Sequence, residues 1–151
     1  MAISSKLSDP THRQAIVRDA ERVLQAEVSD KRGLSGAAVK ATFRMVSGLK
    51  PGLIPMTIDA LLDDFAHQVD PFYTEWRRDP AGRSCREHFA ARGAAVADAL
   101  LSITDERARK SQHRALVKAY QKLRPKGHQH VVAAMPRVGD LIEKYAEPGD
   151  G

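Results

Sequence analysis

Cysteine is almost missing from this chain: Cys85 is the only one among 151 residues. A lone thiol cannot close an intramolecular disulfide or build a cysteine metal framework, so a reducing compartment is the expected setting. Long apolar runs are missing too. No stretch of about 18 apolar residues occurs, the length needed to span a bilayer, and the opening segment MAISSKLSDP has no apolar centre of the signal-peptide kind. These absences point to a cytoplasmic location. Strands of alternating polarity, phosphate-cradling glycine loops, nucleophile elbows and the HExxH pattern are all absent. The usual sequence marks of an enzyme are therefore not here, and no cofactor is expected.

What is present is helical punctuation. With 42% hydrophobic and 28% charged residues, the composition is that of an ordinary globular protein. At this length a single domain, residues 1–151, can bury a self-sufficient core. Residues 1–9 and 147–151 are expected to fray at its ends. Ile16, Ala20, Val23 and Leu24 line one face of a first helix, with a cap expected in SDPTH. Ala38, Val39, Phe43, Met45, Val46 and Leu49 form the stripe of a second, capped by Ser35, with Thr42 as its one polar member. Pro55 fits early in a third helix, which is expected to stop near Val69. Asp70-Pro71 then restarts the chain in a short aromatic helix with Phe72, Tyr73 and Trp76, packed under the loop RRDPAGR. Ser84 and Glu87 form a capping box for a helix buried along Cys85, Phe89, Val96, Leu100 and Ile103. Gly93 on that stripe leaves room for a close helix neighbour. A further helix carries Leu116, Ala119, Tyr120 and Leu123. The last carries Val131, Met135, Val138, Ile142 and Tyr145, with Pro136 expected to kink or split it. The fold class is all-α: a compact bundle of six or seven helices with short connections.

Acidic residues are missing where basic ones concentrate. Eight of the 24 Lys and Arg lie between Arg107 and Lys126 with no acid among them, leaving 16 basic against 19 acidic residues elsewhere. On a helix, Arg107, Lys110, Arg114, Lys118 and Lys122 fall opposite Leu116 and Tyr120. Such a stripe could meet phosphates, an acidic partner or an anionic membrane surface. It could equally be a solvated face, since no aromatics interleave it for base stacking.

The stretch LLDDFAHQVD places Asp63, His67 and Asp70 at i, i+4 and i+7, a spacing able to hold a metal. On a helical wheel these three lie opposite Ile54, Ile58, Leu62, Phe65 and Val69. Pointing at water explains them without any ligand, and no second element with a dictating spacing is evident. Cys85 in a first helical turn, with His88 beside it, has some features of a nucleophile, but a small buried thiol is the commoner case. His128 and His130, two apart, do not share a helix face.

The segments SDKRGLSGAAVKATF, LKPGLIPMTIDALLDDF, VDPFY, AYQKLRPKG and AAMPRVGDLIEKYA resemble a bacterial family, largely actinobacterial, catalogued only as a domain of unknown function. The resemblance runs over most of the chain. It implies a small soluble bacterial protein and supplies no catalytic residue, cofactor or substrate. The sequence therefore supports a non-enzymatic interaction module, partnered by another protein or by its own copies. Binding of nucleic acid or another polyanion through residues 107–126 is the alternative, and a metal-dependent protein using Asp63, His67 and Asp70 the second.

Overall fold

A computed structural model describes residues 2–146, and every regular element among them is helical. The order is α1 (Ile3–Leu7), α2 (Arg13–Asp30), α3 (Gly33–Leu49), α4 (Leu53–Arg78), α5 (Cys85–Ala91), α6 (Gly93–Lys110), α7 (Arg114–Leu123), a 3-10 turn (Arg124–Lys126) and α8 (Gly127–Ala146). Seven of these α-helices have seven residues or more, as the periodicity indicates. No described helix is long and apolar enough to cross a membrane.

α8 is the central element. It packs against α5, α6, α2 and α1, while α4 closes the other side against α1, α2 and α6. The main core between them holds Ile3, Ile16, Phe89, Val96, Met135 and Ile142, all almost fully buried. α3 and α7 stand to one side. They share a small core with the start of α4, made of Val46, Leu53 and Ala119 with Ile54 and Leu116 against them.

Two glycines set the closest approaches to α8. A Cβ on Gly93 would meet Val132 Cγ1 at 3.2 Å, in line with the expected helix neighbour. A Cβ on Gly139 would lie 2.8 Å from Arg86 Cα and from the Cys85 carbonyl oxygen. The α5 backbone therefore rests directly on Gly139, which the periodicity did not single out.

Several local expectations give way to tertiary contacts. Within the segment expected to fray, residues 3–7 form α1: Ile3 and Leu7 are buried, and the Ser4 amide donates to Asp70 Oδ1 at 2.7 Å. The tail 147–151 lies outside the described residues. Ser35 does not cap α3, which starts at Gly33; its hydroxyl lies 2.9 Å from His130 Nε2. Asp70-Pro71 does not restart the chain, because α4 runs through Pro71 to Arg78. Val69 and Tyr73 are buried on either side of the proline, and their packing offsets the one backbone bond it removes. Pro136 likewise does not split α8. The helix read from Ser84 onward is broken at Arg92 into α5 and α6. Its capping box is present, with the Glu87 amide donating to Ser84 Oγ at 3.1 Å and the Ser84 amide to Glu87 Oε1 at 2.9 Å. Trp76 does pack under the loop, donating from Nε1 to the Arg83 carbonyl at 2.8 Å.

Candidate ligand cavity and basic face

Only part of the apolar stripe of α2 packs into the core. Ile16 is fully buried, whereas Val23 and Leu24 are half-buried. They face a half-open hollow of about 510 Å³ between α2, α4, α6 and α8, whose walls also include Phe65, Leu100, Val131 and Val138. A second hollow of about 850 Å³ adjoins it between α3, α4, α6 and α7, with Phe43, Leu61, Leu116 and Val117 among its walls. Leu24, Val28, Val39, Thr104, Tyr120 and Leu123 border both. Volumes of this order match those of small-molecule sites, which are mostly apolar with a few placed polar groups.

The polar groups here are few and positioned. Thr104 Oγ1 and Tyr120 Oη are 2.6 Å apart, and the Tyr120 hydroxyl donates to Asp105 Oδ1 at 2.5 Å. Arg124 grips the same carboxylate through Nε at 2.8 Å and Nη2 at 3.1 Å. Arg124, followed by Tyr120, holds the Asp105 carboxyl below its ordinary value. Burial, and then Asp105, push the Tyr120 phenol upward, so it stays a neutral hydroxyl. At the α2–α8 end, the buried Glu27 accepts from Lys31 at 3.2 Å and from Arg137. His130 beside it is held below its ordinary value by burial first and then by Lys31 and Lys126.

Thr42 is the most informative of these groups. It is 3% exposed, borders the second hollow, and its hydroxyl has no hydrogen-bond partner among the described residues. Buried polar groups in folded proteins are nearly always satisfied. The sequence offered one faint signal of this: Thr42 was the lone polar member of the α3 stripe. The hollows themselves left no mark, because an apolar residue facing a cavity and one facing a neighbour read alike.

The Asp63, His67 and Asp70 face is taken up by the protein's own groups. Asp63 accepts from Arg13 Nη1 at 2.8 Å, while Arg13 Nε reaches Asp59 at 2.6 Å. Asp70 is the acceptor for Ser4, and His67 stands exposed. Among the described residues no three His, Cys, Asp or Glu side chains are grouped to hold a metal ion.

The basic stripe is not one helix face. α6 ends at Lys110 and α7 begins at Arg114, so a loop divides it. Arg107 pairs with Asp64 at 2.9 Å and Lys110 with Glu106 at 3.0 Å. Arg114, Lys118 and Lys122 on α7 are exposed and make no ion pair with a described residue. Cys85 is fully buried. Burial, reinforced by Glu143 and Asp140, pushes its thiol up to about 12. His88 is also buried, its Nδ1 3.0 Å from Arg83 Nη2. Its Nε2 lies 2.9 Å from Glu75 Oε1, out of line for a hydrogen bond.

Residues 3–146 match the model of a family of unknown function (DUF6918), and the chain belongs to that family. No curated protein and no solved structure matches it.

Proposed function

We propose that this member of the family is a binding protein rather than an enzyme, and that its ligand is an apolar small molecule or chain held between the helices. The observation that carries this reading is the pair of adjoining apolar hollows. Apolar walls left without packing partners lose contacts that a bound apolar molecule would restore. Water is a poor substitute there, because apolar walls give it nothing to bond. Thr42 and the Tyr120–Thr104 pair add a hydroxyl at each side of the second hollow, which suits a ligand carrying one polar group.

Saturable binding of diphenylhexatriene or a fluorescent fatty acid, followed by emission, tests the reading. Binding at about one ligand per chain, sharply reduced by Ala134→Phe in the wall of the first hollow, supports it. Absence of binding, or binding indifferent to Ala134→Phe with Ala20→Phe, overturns it. Native mass spectrometry of freshly purified protein gives a second readout, as a carried adduct.

A second reading is polyanion contact through α7. It is favoured by the three unpaired cations Arg114, Lys118 and Lys122, and Arg107 and Lys110 drop to a lesser place because acids already hold them. Binding of duplex DNA or heparin that weakens steeply with salt, and is lost in Arg114→Glu with Lys118→Glu, is its test. A cytoplasmic location belongs to the same proposal. Catalysis and a metal at Asp63, His67 and Asp70 do not, since Arg13 and Ser4 occupy two of those three side chains.

A further inference from the structure

α3 is apolar on both sides. Its inner side gives Val39, Thr42 and Val46 to the protein. Its outer side carries Leu34, Ala41, Met45 and Leu49, which share one face at helical spacing. Leu34 is 93% exposed, Met45 51% and Leu49 41%, and Met56 just after the turn is 53% exposed. A helix apolar on two faces ordinarily has both covered, and here the outer face is left largely exposed among the described residues.

The charge around this face has one sign. No acid occurs from Lys31 to Thr57, while Lys31, Arg32, Lys40, Arg44 and Lys50 all fall there. α3 packs on α7, the second acid-free segment. The fold thus joins two stretches, far apart in the chain, that hold 13 of the 24 cations and none of the 19 acids. Among the described residues Lys40, Arg44, Lys50, Arg114, Lys118 and Lys122 make no ion pair.

We propose that the outer face of α3 seats on an anionic membrane surface, with Leu34, Met45 and Leu49 entering the headgroup boundary and Lys40, Arg44 and Lys50 meeting lipid phosphates. Apolar tips ringed by cations are the pattern of a helix lying in the interface, and a cluster of unpaired cations is what anionic lipid attracts. A nucleic acid leaves the four exposed apolar side chains unused. A second copy is disfavoured by charge: pairing this face with itself brings the unpaired cations of both copies together with no acid between them. This inference does not depend on the ligand reading, although α3 also walls the second hollow.

The test is co-sedimentation of the full chain with vesicles of phosphatidylcholine alone and of phosphatidylcholine mixed with phosphatidylglycerol. Binding is expected only to the mixed vesicles, and is expected to weaken with salt. Lys40→Glu with Arg44→Glu should weaken it about tenfold or more, and Leu34→Ser with Met45→Ser should abolish it. Leu34, Arg44 and Met45 are exposed and Lys40 is half-buried, so the melting curve of the Leu34 and Met45 variant should match the parent. Arg44→Glu alone should still weaken binding if the double charge change lowers the melting temperature. Leu34→Ser alone, at the most exposed position, guards against misfolding and should still weaken binding. No binding to mixed vesicles overturns the proposal, and so does binding untouched by the Leu34 and Met45 changes. A salt-stable dimer that these changes dissociate, or tighter binding to duplex DNA than to vesicles, overturns it in favour of those occupants.

Discussion

Asp70 caps a helix 66 residues away. Its Oδ1 accepts the Ser4 amide at 2.7 Å, satisfying one of the orphan donors in the first turn of α1. α1 has no cap of its own, since Ala2 stands at its N-cap.

Removing that acceptor should therefore act on α1. Asp70→Ala is expected to cost about 0.5–2 kcal/mol, the ordinary worth of a helix cap, and to expose residues 3–7 to amide exchange. Asp70→Asn keeps an acceptor and should cost less. Exchange that stays slow over α1 in Asp70→Ala would show that burial of Ile3 and Leu7 holds the helix without the cap.

Gly139 predicts a larger effect. A Cβ there meets the backbone of Cys85 and Arg86 at 2.8 Å, and backbone cannot swing aside as a side chain can. Gly139→Ala should lower stability by about 1–3 kcal/mol, read from denaturant midpoints. Gly48→Ala, where a Cβ meets nothing, is the control and should leave stability unchanged or slightly raised.

Asp19 predicts an acid dependence. It accepts from Lys144 Nζ at 2.7 Å and from the Tyr145 hydroxyl, tying α2 to the end of α8. Lys144 first, and then Tyr145, hold its carboxyl below the ordinary 3.8. A depressed native value means the contribution is complete above 3.8 and is lost as pH falls through that lower value. Asp19→Asn should cost about 1.5–3 kcal/mol at neutral pH and flatten the acid limb of the melting temperature. An unchanged acid limb would assign it to other carboxylates.

Cys85 should behave as core. With its thiol pushed up to about 12, a disulfide reagent should react only when the chain opens, at a rate that follows unfolding. Fast stoichiometric reaction of the native protein would contradict its burial.

Features set within a few residues of chain were legible in the sequence, and those set across it were not. The Ser84–Glu87 box needs only its own turn, and it forms as read. Gly93 was marked by its place on an apolar stripe. Ser35 carried an equally good local signal for a cap, but His130 arrives from 95 residues away and takes its hydroxyl. Pro71 carried a good signal for a break, but burial of Val69 and Tyr73 keeps α4 whole. The basic stripe looked uniform because Asp64, the partner of Arg107, lies 43 residues upstream. The hollows followed no sequence rule, since they depend on how far apart whole helices stand.

The joining of two acid-free segments has one more consequence. The remaining chain holds 11 cations against 19 acids; Lys31, Arg107, Lys110 and Arg124 lie against acids, and the unpaired cations of α3 and α7 leave a local positive excess. A one-sided excess of this kind gives the surface charge a dipolar component. The field of a charged surface exerts a torque on it before any contact forms. The molecule then arrives already turned, and a larger share of its encounters present α3 and α7 first.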